Sequence, residues 1–188
     1  LSDLIYELNK IKNLKRIRYT TSHPKDVTKD LIIAHQKCEK LMPLLHLPVQ
    51  SGSTKILKKM NRDHTIDDYL EKIKNLKSLN PYMKFSSDFI IAYPGETNED
   101  FEKTIFLMKK VKFINSYSFI FSPRPGTPAA NLEKVDLKTA KERLLIFQNI
   151  ADEIKKKYRK SLINSISKVL FENKVKNDNA YFGRDEYF

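Results

Sequence analysis

Four stretches of this chain set polar or charged side chains where an apolar run stops. They are "RIRYTTSHP" (16–24) with Thr21, "HLPVQSGS" (46–53) with Gln50 and Ser51, "SSDFIIAYPGET" (86–97) with Asp88 and Gly95, and "SPRPGTP" (122–128) with Arg124. Gln50 offers an amide that both donates and accepts, whereas an ionised Asp88 only accepts. Asp88 also interrupts an apolar run, where an unpaired carboxylate would cost several kcal/mol to bury. Arg62 carries the planar fork that pairs with a carboxylate through two bonds. His23 and His46 lack metal-ligand spacing and read as ordinary hydrogen-bonded histidines. Cys38, the single cysteine, allows no intrachain disulfide and reads as a buried structural thiol. One Gly-Ser or Pro-Gly end would be a plain turn. Four of them read as one rim.

The elements between these ends predict how they come together. Leu4, Ile5, Leu8, Ile11 and Leu14 form a helical stripe over 2–14 with Ser2 as N-cap, and helical pattern returns over 29–42, 53–60, 69–79 and 99–111. Thr65 with Asp68, and Thr97 with Asp100, have capping-box spacing. Strands are expected at 16–21, 44–49, 84–93 and 116–122, rich in β-branched and aromatic residues. Helices separate the strands and the connections are too long for hairpins, so the prediction is an α/β fold of right-handed βαβ units with a parallel sheet. In such sheets ligands sit beyond the carboxyl ends of the strands. After Asp136 the pattern changes to one long amphipathic helix reaching Leu162. Two β-like runs follow, "SISKVLFENKV" (165–175) and "AYFGRDEYF" (180–188).

Composition narrows the partner. A formal net charge of +12 over 188 residues fits a polyanion such as nucleic acid. The densest basic run, Lys155, Lys156, Lys157, Arg159 and Lys160, lies on the long helix. A Lys-rich codon bias is the competing explanation of the charge. No apolar run approaches the roughly 18 to 20 residues that cross a bilayer, and the first residues lack the form of a secretory signal. The expectation is a cytoplasmic protein with no membrane partner.

Together, "RIRYTTSHP", "LHLPVQSGSTKILKKMNRDHT", "SSDFIIAYPGETNEDFEKT" and "YSFIFSPRPGTPAA" resemble the radical-SAM methylthiotransferases, from about Arg16 to Ala130. Within that family they look most like the subgroup acting on isopentenylated adenosine in tRNA. The resemblance implies a partial (β/α) TIM-type barrel over 1–135, a linker helix over 136–163 and the start of a small RNA-gripping β-barrel (TRAM) over 164–188. It implies S-adenosylmethionine as cofactor and two [4Fe-4S] clusters in the intact enzyme. The implied reaction adds a methylthio group to the modified adenosine beside the anticodon, with tRNA as partner.

By the same resemblance Gln50, Arg62 and Asp88 line the S-adenosylmethionine pocket, with Ser51 as support and Thr21 as a weaker member. Asp88, at the exit of its strand, would take the ribose diol, while Gln50 and Arg62 would take the methionine carboxylate. Gly95 would turn the chain beneath the adenine at positive φ, although Ala92 stands where the family often has Gly. Arg124 and the five basic residues of the helix would meet RNA. A radical-SAM cluster needs three thiolates in a CxxxCxxC loop, and one cysteine cannot supply them. The chain is therefore expected to be inactive alone, its cluster loop belonging to an upstream fragment. The alternatives are an inactive or RNA-binding remnant and an unrelated phosphate-binding barrel.

Overall fold

The computed structural model describes residues 1–20 and 23–187. Three parallel strands form the sheet in the order β1 (Leu44–His46), β2 (Lys84–Ile91), β3 (Asn115–Ile120). Helices α1 (Ser2–Lys10), α2 (Lys29–Lys37), α3 (Thr54–Lys59), α4 (Ile66–Leu79), α5 (Asn98–Val111) and α6 (Leu137–Ser161) occur in chain order around the strands. An antiparallel hairpin, β4 (Leu170–Lys174) and β5 (Tyr181–Arg184), follows.

Both predicted capping boxes form. Thr65 with Asp68 opens α4, and Thr97 with Asp100 opens α5. The first helix is shorter than its apolar stripe, because the chain is extended at Ile11, and Leu1 rather than Ser2 is its N-cap. Likewise α2 stops at Lys37, where Cys38 turns to extended backbone.

The expected fourth strand is the main departure. Residues 16–20 run parallel to β1 and the segment that leads into it, and bridge these at isolated points, Ile17 with Leu41 and Thr20 with His46. The arginines of this segment work elsewhere. Arg16 donates to the carbonyls of Lys168 and Asp185 at 2.8 and 2.7 Å, and Arg18 donates to that of Asp185 at 2.7 Å, clasping the hairpin. The hairpin strands are also shorter than the runs that announced them.

The two faces of the sheet differ. Leu45, Phe85, Phe89 and Ile91 are buried against Tyr69, Ile73 and Leu76 of α4, Leu107 and Met108 of α5, and Phe147 of α6. The opposite face carries His46, Ser86, Asp88, Ile90, Tyr117 and Phe119, aligned by the register His46–Ser86, Asp88–Tyr117 and Ile90–Phe119. Tyr117 is 50% and Phe119 62% exposed. One face is core and the other is open.

Candidate functional site

The "HLPVQSGS" segment shows how the sheet's ladder is broken to shape a rim. Pro48 has no N–H to give. The Val49 N–H instead donates to the Ser87 hydroxyl at 3.0 Å, and the Leu47 carbonyl accepts from the Ser87 and Tyr69 hydroxyls at 2.9 and 3.0 Å. Pairing slips by one residue, from His46 opposite Ser86 to Gln50 opposite Phe89. Gln50 takes a left-handed φ of 73°, which a non-glycine residue adopts only where its surroundings enforce it. Its N–H donates to the Asp88 carbonyl at 3.0 Å and its carbonyl accepts from the Ile90 N–H at 2.9 Å. The side-chain amide of Gln50 has no hydrogen bond among the described residues.

The Ser-Gly-Ser that follows faces inward. Ser51 is fully buried, its hydroxyl 3.4 Å from that of Thr104, and it accepts from the Ser53 N–H at 3.2 Å. Ser51 therefore supports the loop and offers nothing to a ligand. Gly52 is needed because a Cβ there would collide with the Lys103 carbonyl and Thr104 Cα of α5. Ser53 caps α3 and donates to Asp100 at 2.7 Å, while Lys55 pairs with the other oxygen of Asp100 at 3.0 Å. Burial alone would raise the Asp100 pKa, but the bonds from Ser53, Lys55 and Thr97 outweigh it and hold this carboxyl well below the usual carboxylate range.

Asp88 does not sit at the exit of its strand. It lies in the middle of β2, on the open face, with its side chain 33% exposed. Its Oδ2 is 3.4 Å from His46 Nε2, and His46 Nδ1 is 2.9 Å from the Ser86 hydroxyl. The His46 ring also meets Tyr117 edge-on at 6.2 Å. His46 is thus hydrogen-bonded to Ser86, as expected of an ordinary histidine, and its other nitrogen lies beside the candidate carboxylate.

The loop after β2 forms the neighbouring rim. Ala92 is left-handed at φ 59° and Gly95 at φ 76°; a Cβ on Gly95 would also meet the Lys59 ammonium. The Ala92 N–H donates to Glu96 Oε1 at 3.1 Å, and Arg143 of α6 reaches the same oxygen at 2.9 Å and the Glu96 carbonyl at 3.1 Å. Burial raises the Glu96 pKa, opposed by the Ala92 N–H and Arg143. Nothing local in the sequence announces this pair, whose members lie 47 residues apart.

The remaining candidates are dispersed. Arg62 is half-buried, its pKa lowered by desolvation, and its guanidinium forms no hydrogen bond or ion pair among the described residues. It lies close enough to His23 and His64 to disfavour their charged forms. The His23 and His64 rings stack edge-to-face at 5.1 Å. Thr21 falls outside the described residues. Arg124 is exposed in the loop after β3, where its carbonyl accepts from Thr127. The basic run lies at the opposite end of the sheet. Lys155 donates to Asn115, the first residue of β3, at 2.9 Å, and Lys156, Lys157, Arg159 and Lys160 are exposed beyond it. Arg124 and the lysine run are therefore not one patch.

Cys38 is 3% exposed, and burial raises its pKa. A lone buried thiol does not fit an iron–sulfur cluster. No helix is long and apolar enough to cross a membrane among the described residues.

Comparison with known proteins identifies the family. The family model described as Radical SAM superfamily matches residues 1–108. The tRNA-2-methylthio-N(6)-dimethylallyladenosine synthase of Pelagibacter ubique (strain HTCC1062) is 58% identical over 187 residues, and that of Ehrlichia canis (strain Jake) 50% over 189. Each match covers all of this chain, which spans 42% and 43% of these relatives. The solved coproporphyrinogen III oxidase (HemN) of Escherichia coli superposes with a TM-score of 0.54 at 13% identity, over 78% of this chain and 32% of that one, a likeness of fold alone. With a family match over more than half its length, the chain belongs to the radical SAM superfamily.

Proposed function

We propose that this chain is the S-adenosylmethionine- and tRNA-binding portion of a methylthiotransferase that modifies N6-isopentenyladenosine beside the anticodon, in the cytoplasm. The observation that carries the reading is the 58% identity with a synthase of that name along the whole chain. The rim supports it, because Gln50, in the segment after β1, and Asp88 of β2 are bonded backbone to backbone.

On this reading the Asp88 carboxylate accepts from the ribose hydroxyls, with His46 holding its other side. The free amide of Gln50 and the unpaired guanidinium of Arg62 take the methionine carboxylate. The left-handed turns at Ala92 and Gly95 bring backbone groups beneath the adenine. Ser51 stands behind Gln50. The open face with Tyr117 and Phe119 receives the target nucleoside, because exposed rings give a flat base something to stack on. Arg124 and the run Lys155–Lys160 meet RNA phosphates, and β4 and β5 begin a TRAM barrel.

When bound, one molecule of S-adenosylmethionine would supply the radical on one-electron reduction by a cluster, leaving methionine, and a second would supply the methyl group by transfer to a sulfur nucleophile, leaving S-adenosylhomocysteine. The two clusters such chemistry uses have no ligands in this chain, so their thiolates belong to an upstream polypeptide segment. An RNA-binding remnant without chemistry is the second reading, and the single buried thiol favours it.

The two separate in one experiment. The matching segment of the Pelagibacter ubique relative is replaced by this chain, and tRNA nucleosides are analysed by mass spectrometry in a strain lacking its own synthase. Methylthiolated isopentenyladenosine is the expected product. A folded chimera that binds tRNA and leaves isopentenyladenosine unmodified would instead establish the remnant.

A further inference from the structure

A cavity of about 790 Å³ lies at the end of the sheet away from Gln50 and Asp88, between α4, α5 and α6 where β2 and β3 begin. Its floor is apolar and aromatic, formed by Phe85, Ile114, Ile154 and Tyr158. Around it stand Lys77, Lys84, Lys109, Lys112 and Lys157, against one carboxylate, Glu153. None of the five lysines has an ion pair among the described residues.

Lysines near helix C-termini complement the helix dipole, and Lys77 and Lys109 sit in the last turns of α4 and α5. That effect does not account for Lys84, which opens a strand, nor for ammoniums turned over rings. Lys77 Nζ lies 5.6 Å from the Phe85 ring centre and donates to the Val111 carbonyl at 3.5 Å; Lys84 Nζ lies 5.9 Å from the Tyr158 ring centre. Burial, and then the charges of Lys84 and Lys112, hold the Lys77 pKa below the ordinary lysine value. The cavity therefore concentrates uncompensated positive charge above a flat apolar floor.

Single-stranded nucleic acid is a ligand with both matching features, phosphates for the ammoniums and a base for the half-buried Tyr158 ring. Lys157 belongs to the cavity and to the basic run of α6 alike, so the site continues onto an exposed cationic surface. We propose that this cavity holds an unpaired stretch of the tRNA that the chain binds, a second RNA contact remote from the candidate cofactor rim; it rests on the tRNA reading above.

The test is tRNA binding by the chain against salt concentration, with S-adenosylmethionine binding measured in parallel. Lys77→Gln/Lys84→Gln/Lys112→Gln should weaken tRNA binding about tenfold or more. It should also reduce the log–log salt slope by roughly 2, as loss of three single-strand phosphate contacts requires. S-adenosylmethionine binding should not change, and the matching Lys→Arg variant should recover most of the tRNA affinity. As a check independent of folding, tRNA should protect Lys77, Lys84 and Lys112 of the unaltered chain from acetylation. Unchanged affinity and slope, absence of that protection, or no tRNA binding at all would overturn the proposal. So would protection by pyrophosphate or a mononucleotide but not by tRNA. Loss of S-adenosylmethionine binding with tRNA protection intact would count against the cofactor reading alone.

Discussion

The backbone of Gln50 brackets that of Asp88, donating to its carbonyl at 3.0 Å and accepting from Ile90, two residues on, at 2.9 Å. Two candidate ligands of one cofactor are thereby fixed to each other by the ladder itself. The one-residue slip that makes this possible depends on Pro48, on the Ser87 hydroxyl, and on the loop that follows being held against α5.

That hold predicts a large effect from a small change. Gly52→Ala puts a methyl group into the backbone of Lys103 and Thr104, which a side-chain rotation cannot relieve. Overpacking of this kind costs about 1–3 kcal/mol or more. Chemical denaturation should show that loss, while Gly126→Ala, with open space around it, is strained only by its positive φ and should lose less.

Arg143 ties α6 to the loop beneath the candidate adenine site. Arg143→Ala leaves the Glu96 carboxylate buried without its cation, and breaking a buried pair this way costs about 3–5 kcal/mol. The double variant Arg143→Met/Glu96→Gln should recover much of the loss, measured by the same unfolding curves.

His35 and His64 are buried and predict acid sensitivity. Burial lowers both pKa values from 6.5 to about 4, and in His64 the neighbouring His23 and Arg62 add to it. Below 6.5 the unfolded chain binds protons that the folded chain refuses, so their contribution is present above pH 6.5 and lost as pH falls toward about 4. A loss on the order of 1–3 kcal/mol per histidine is expected from linkage of this size. His64→Phe should flatten the stability profile between pH 6.5 and 4, measured by urea unfolding at a series of pH values.

Much of this organisation was legible in the sequence where local chemistry decides it. Thr65 with Asp68 and Thr97 with Asp100 have capping spacing and form capping boxes, and the alternation of strands with helices gave a parallel sheet. The strand at 16–21 misled, because β-branched and aromatic content does not reveal that Arg16 and Arg18 are drawn to the hairpin more than 150 residues away. Ser51 read as a rim residue because its hydroxyl's partner, Thr104, lies on a distant helix. His46 reads as an ordinary hydrogen-bonded histidine and is one, through Ser86, while its nearness to Asp88 exists only in the register of β1 with β2. Tyr117 and Phe119 were not singled out, since only topology shows which sheet face lacks helices.

The most direct test of the cofactor site is titration of the chain with S-adenosylmethionine, comparing the unaltered protein with Asp88→Asn and Gln50→Ala. Hydrogen bonds to a charged group contribute about 1.5–3 kcal/mol, so Asp88→Asn should weaken binding roughly 10- to 100-fold with no change in unfolding midpoint. Gln50→Ala should weaken it less. Saturable binding that both variants retain at full strength would contradict the assignment of Gln50 and Asp88 to the cofactor, and with it the account of this rim.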